Sequence, residues 1–167
     1  MRSSTNAYYA KTRVSEDEQI LKGAARERTN VRNKNSMKSQ IYVNLPVKDL
    51  NRSNAFFESL GFPLNAKFSN DQASCLILGE NMFAMLLVES FFKTFTNKSI
   101  CDATKSTEVL VCLSCQSRAR VDELVKKAIA AGGRAPRKPQ DQGFMYGHGF
   151  EDLDGHIWEL IFMEPGK

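Results

Sequence analysis

Phe150-Glu151-Asp152-Leu153-Asp154-Gly155-His156-Ile157-Trp158-Glu159 runs from one apolar stretch, through an acidic turn containing glycine, into another. Aromatic and β-branched residues on both sides predict strands over Phe144–Phe150 and His156–Met163. Upstream, Gly132-Gly133 closes a helix that Ser117 caps. Val121, Leu124, Val125 and Ala128 of that helix recur at i, i+3, i+4 and i+7, one apolar face. A strand over Glu108–Cys115 precedes the helix, and a short one over Arg134–Arg137 follows it. Strand, helix, then three strands is one complete unit.

The same order occurs earlier in the chain. A strand over Gln40–Val47 leads to Asp49, an N-cap for a helix carrying Leu50, Phe56, Phe57 and Leu60, with Gly61 as its stop. Strands are expected at Phe62–Phe68, Ala73–Leu78 and Met82–Glu89, divided by Ser69-Asn70-Asp71 and Gly79-Glu80-Asn81. The two helix caps lie 68 residues apart, and the last strands align at an offset of 74. The expected fold is therefore α+β: two βαβββ modules forming a curved mixed sheet with a concave ligand cavity. Module 1 covers about 38–89, a connection 90–107, and module 2 about 108–165. The connection carries an apolar stripe, Phe91, Phe92 and Phe95, which suits a docked helical turn, a lid or a contact with a second subunit.

Charge is divided unevenly over the 167 residues. Residues 1–36 hold eight Lys/Arg and four Asp/Glu, leaving fifteen of each sign in the remainder, so the whole +4 excess lies in that first stretch. Its polar composition suits a disordered basic extension or an artificial leader, with one short helix possible from Ser15, and Met37 suits a native start. The neutral body offers no basic surface for nucleic acid, and no apolar run reaches the roughly 20 residues of a membrane span. Four cysteines without a secretory leader point to reduced thiols in the cytoplasm.

Ile41-Tyr42-Val43-Asn44-Leu45-Pro46-Val47-Lys48-Asp49-Leu50, with Ala55-Phe56-Phe57 and Leu60-Gly61-Phe62, resembles the opening of vicinal oxygen chelate (VOC) proteins, the glyoxalase/bleomycin resistance/dioxygenase type. The Phe150–Glu159 stretch resembles their closing strand pair, F-x-D-x-D-G-H-x-W-E. Met85-Leu86-Leu87, Phe91-Phe92-Lys93-Thr94-Phe95 and Gly143-Phe144-Met145-Tyr146-Gly147 resemble most closely the subgroup of predicted lactoylglutathione lyases. The resemblance implies four metal-ligand positions, on the first and last strands of each module. They fall here on Tyr42, Met85, Leu110 and Glu159. Only Glu159 is a ligand-type residue for Ni²⁺ or Zn²⁺, so no metal is expected.

Glu159 shares strand parity with Ile157 and Ile161, which places an acid on an apolar face. It is either hydrogen-bonded to Tyr42 or Asn44, or a buried carboxylate acting as a catalytic base. Tyr146 and His148 share parity with Phe144 and Phe150, and the expectation is that this face lines the pocket. The candidate pocket is then Tyr42, Asn44, Met85, Leu110, Tyr146 and His148, with Glu159 as the catalytic candidate. His156 reads as a turn or strand-edge residue. Cys112 and Cys115, at odd separation on a strand, face opposite ways. Gly147 and Gly149 read as packing glycines. Two functions fit. One is a glyoxalase-like lyase with glutathione as co-substrate; the other is a metal-free protein that binds and sequesters a small molecule. A homodimer is expected for either.

Overall fold

The structure, a computed structural model, describes residues 39–166. The basic stretch 1–36, with its expected helix and native start, lies outside the described residues. Strand β1 (Ile41–Val47) ends two residues before Asp49, whose side chain accepts a hydrogen bond from the Arg52 N–H and starts helix α1 (Leu50–Leu60). Gly61 ends that helix at φ 94°, a left-handed conformation glycine adopts without a Cβ penalty. Strands β2 (Ala73–Gly79) and β3 (Met82–Val88) follow. β3 lies between the other two, parallel to β1 and antiparallel to β2. A short helix α2 (Glu89–Phe92) and a 3₁₀ turn over Lys93–Phe95 open the connection.

The second module repeats the plan. It comprises β4 (Leu110–Ser114), α3 (Arg118–Ala130), β5 (Gln140–Asp141), β6 (Met145–Glu151) and β7 (Ile157–Met163), in the sheet order β4-β7-β6-β5. Ser117 caps α3 by accepting from the Arg120 N–H. β4 and β7 are parallel, as β1 and β3 are. The register carries the internal repeat to single residues. Tyr42 stands opposite Phe83, and the offsets of 68 and 74 carry that pair onto Leu110 opposite Ile157.

Two expected strands shrink to single bridges. Pro63 has no N–H to donate and Asn65 takes the Lys67 N–H, so beyond the Leu64–Leu76 bridge the chain turns into a 3₁₀ helix over Ala66–Phe68. Arg134 pairs with Glu151, Pro136 interrupts, and pairing resumes only at β5. The architecture is α+β with mixed sheets, but one sheet of three strands and one of four replace the expected continuous sheet.

The reason lies in the core. Leu45, Val47, Leu76, Ala84 and Leu86 from the first sheet, and Val111, Phe150, Trp158 and Leu160 from the second, join one hydrophobic cluster with both long helices. Phe57 of α1 lies 5.0 Å from the Trp158 ring, and Phe56 lies 6.0 Å from Phe150. Each sheet thus turns its helix-covered face toward this shared core. The second sheet leaves its other face open, whereas on the first Ala73, Cys75, Phe83 and Leu87 of that face are buried and Tyr42 and Asn44 are exposed. No described helix is long and apolar enough to cross a membrane.

Candidate functional site

Strand alternation sorts the candidates onto two faces, both turned away from the core. Tyr42, Asn44 and Met85 share the first: Asn44 stands opposite Met85, and Tyr42 stacks on Phe83 at 4.8 Å. Leu110 and Glu159 share the second, where Glu159 stands opposite both Cys112 and Gly149. A cavity of about 520 Å³ lies over the second face, lined by residues of 107–161 only. Leu110 and Glu159 line it; Tyr42, Asn44 and Met85 do not. The four ligand positions therefore form two matching pairs, one on each sheet, and do not converge within one chain.

Glu159 is half-buried among Leu110, Ile157 and Ile161. No described side chain hydrogen-bonds or ion-pairs with it. The expected bond to Tyr42 is not formed; that hydroxyl donates to Gln40 Oε1 at 3.0 Å instead. Burial, then the nearby Glu159, push the Cys112 thiol above its ordinary value, so it is a poor nucleophile.

Tyr146 and His148 stand on the opposite face from Glu159, the side covered by α3. The Tyr146 hydroxyl donates to Asp122 Oδ1 at 2.7 Å, and the Arg118 guanidinium lies 5.2 Å from its ring centroid. His148 borders the cavity, but its Nε2 lies 3.1 Å from the Arg137 carbonyl and its buried Nδ1 has no partner. Tyr146 therefore serves as a packing and anchoring residue, with no route to a ligand beside Glu159. Tyr146→Phe is expected to cost about 0.5–1.5 kcal/mol in urea unfolding.

The glycines divide. A Cβ at Gly149 would meet the Trp158 carbonyl oxygen at 2.7 Å, whereas one at Gly147 would meet nothing nearer than 3.8 Å. Gly149 is thus required by the close approach of β6 to β7, while Gly147 leaves space on the cavity floor. Gly149→Ala is expected to destabilise by about 1–3 kcal/mol. Gly147→Ala is expected to be neutral or stabilising by up to about 1 kcal/mol, since it also removes chain entropy. Paired urea titrations check both.

The closing stretch holds a polar cluster that strand parity does not reveal. His156 is 2% exposed; its Nδ1 lies 2.5 Å from Glu108 Oε1 and its Nε2 lies 2.7 Å from the Pro46 carbonyl. Both neighbours are acceptors, which selects the doubly protonated ring. Burial pulls the imidazole pKa down, but Asp152, the Pro46 carbonyl and Glu108 outweigh it and hold it above its ordinary value. Asp152 accepts from the Asp154 and His156 N–H groups and from the Trp158 indole, each at 3.0 Å. Asp154 accepts from the Lys48 N–H and from the Ser53 hydroxyl, both at 3.0 Å. These bonds tie the last strand pair to β1 and α1. Asp152 and Asp154 thus serve the junction between the modules, while Glu151, paired with Arg134, and Glu159 line the cavity.

The usual metal of this architecture does not fit the residues present. A phenol already bonded to Gln40, a thioether, a half-exposed leucine and one carboxylate cannot make a Ni²⁺ or Zn²⁺ site. Among the described residues no cluster of three or more His, Cys, Asp or Glu side chains could hold a metal.

Residues 40–75 match the family model described as bleomycin resistance protein-like N-terminal. A hypothetical protein from S. aureus is 30% identical, with 74% of this chain and 92% of that one covered, at a TM-score of 0.65. The chain belongs to the glyoxalase/bleomycin resistance/dioxygenase family. A glyoxalase/bleomycin resistance protein/dioxygenase family enzyme from Burkholderia phytofirmans PsJN is 18% identical, covering 74% of this chain and 97% of that one, at a TM-score of 0.62. A bleomycin resistance determinant encoded on the transposon Tn5 is 20% identical, covering 75% and 98%, at 0.54. These two share the VOC fold. No curated protein matches the chain.

Proposed function

We propose that this VOC protein binds and sequesters a small molecule without a metal, as a homodimer. One observation carries the reading. The positions equivalent to a VOC metal site hold Tyr42, Met85, Leu110 and Glu159, yet an apolar cavity of about 520 Å³ surrounds the last two. The Tn5 bleomycin resistance determinant is a VOC protein named for resistance to a small molecule, which supports the same role here.

A lactoylglutathione lyase has to stabilise an enediolate, and that charge needs a cation at the reacting oxygen. Lys48 borders a different pocket, and Lys93 Nζ donates to the Lys98 carbonyl. Arg137 and Lys138, both exposed, stand at the cavity rim. None of these is a counter-charge beside Glu159.

The dimer reading rests on residues exposed on the faces turned away from the core. Tyr42, Leu110 and Met163 are each more than 40% exposed, at 41%, 50% and 51%. The matching pairs Tyr42/Met85 and Leu110/Glu159 would meet if the first sheet of one copy covered the second sheet of another. Light scattering of the purified protein is expected to give a dimer mass, and Leu110→Asp a monomer.

The function is tested by elemental analysis together with a hemithioacetal isomerase assay, with and without added Ni²⁺ or Zn²⁺. The expected result is no stoichiometric metal and no turnover above background. One tightly held equivalent, with turnover lost in Glu159→Gln, would overturn the reading.

A further inference from the structure

We infer that the ligand held by this site is a planar, cationic N–H donor, laid on a shelf that Gly147 and Gly149 leave bare and anchored by Glu159. This rests on the sequestering reading and adds the ligand's chemical class to it. Gly147 stands opposite Ile161, and Gly149 opposite Glu159. On the open face of β6, two successive positions therefore carry no side chain, and the cavity floor there is flat backbone. A flat floor bounded by Leu110, Ile157 and Ile161 suits a ring system lying parallel to the sheet.

Glu159 supplies the polarity. Its carboxylate stands beside the side-chain-free stretch, half-buried among aliphatic groups, with no described partner of its own. Charge-assisted bonds to such a group are strong because little water competes. The other cavity acid, Glu151, is already paired with Arg134 at 2.5 Å. The cations Arg137 and Lys138 lie at the exposed rim, where salt screens them. The interior therefore selects for positive charge even though the rim is basic.

Gly147 sets the size limit. A Cβ there makes only ordinary contact with Ile161 Cγ2 and the Leu160 carbonyl oxygen, so larger residues grow into the cavity without straining the strand. Gly149 is unsuitable for this test, since its own Cβ would strike backbone.

The probe is proflavine, a flat tricyclic cation with two amino groups, titrated into the full chain and followed by fluorescence and calorimetry. Anthracene-2-carboxylate, flat and anionic, is the comparison. Expected are saturable binding of one proflavine per chain and at least tenfold weaker binding of the anion. Glu159→Gln is expected to remove most of that preference. Gly147→Leu is expected to abolish binding with the melting temperature within a few degrees, and Gly147→Ala to weaken it by a smaller factor. No saturable proflavine binding, equal or tighter binding of the anion, or unchanged affinity in Gly147→Leu each overturns the assignment. Any of these in protein that remains metal-free and inactive on the hemithioacetal removes only the ligand class. Stoichiometric metal with turnover overturns the sequestering reading instead.

Discussion

Replacing His156 with alanine is expected to lower the unfolding free energy by about 3–5 kcal/mol, the cost of breaking a buried charged pair from one side. The ring is 2% exposed, and its two nitrogens face Glu108 and the Pro46 carbonyl. Without it, that carbonyl and the partly buried Glu108 carboxylate lose their donor, and Asp152 loses the cation facing it. Small domains are stable by roughly 5–15 kcal/mol, so urea unfolding should show the loss clearly.

The pH dependence gives an independent check. The folded imidazole is held above its ordinary value of 6.5. A group whose folded pKa is raised contributes stability that is complete below its unfolded pKa and disappears as pH rises through the folded one. The difference in stability between wild type and His156→Gln should thus be largest below pH 6.5 and shrink above it. A difference that grows from pH 6 to pH 9 would mean that the ring is buried neutral.

How much of this was legible in the sequence depends on whether the deciding contact was local. Asp49, Gly61 and Ser117 act on groups within three or four residues, and the helices begin and end where those residues place them. The repeat offsets held because a strand register, once set, carries every residue along with it. Parity correctly put Glu159 with Ile157 and Ile161 on one face.

Parity alone does not say which face meets a helix. Tyr146 does not reach the pocket expected for it for that reason: its deciding partner, Asp122, sits 24 residues away on α3, while His148 of the same face borders the cavity. The role of His156 was hidden similarly, since its acceptors, Pro46 and Glu108, lie 110 and 48 residues distant. The difference between Gly147 and Gly149 depends on how closely β7 approaches, a distance that no local pattern encodes.

Trp158→Ala is the second large effect expected, about 3–5 kcal/mol. This lone tryptophan is fully buried, stacked on Phe150 at 6.2 Å and tilted against Phe57 at 5.0 Å. It therefore belongs both to its own sheet and to the seam where α1 of the first module meets the second. Its indole N–H also satisfies Asp152 Oδ2, so truncation leaves a cavity and a buried acceptor without its donor. Trp158→Phe separates the two contributions. A phenyl ring keeps most of the aromatic packing but cannot donate, and its expected cost is about 1–3 kcal/mol. Because both variants lose the intrinsic fluorophore, far-UV circular dichroism in urea is the suitable readout. Asp152→Asn supplies the second edge of a double-mutant cycle with Trp158→Phe. If the indole acts mainly by holding Asp152, the two losses will be strongly non-additive. If instead it acts mainly by filling the seam, Trp158→Phe will be mild, Trp158→Ala severe, and both independent of residue 152.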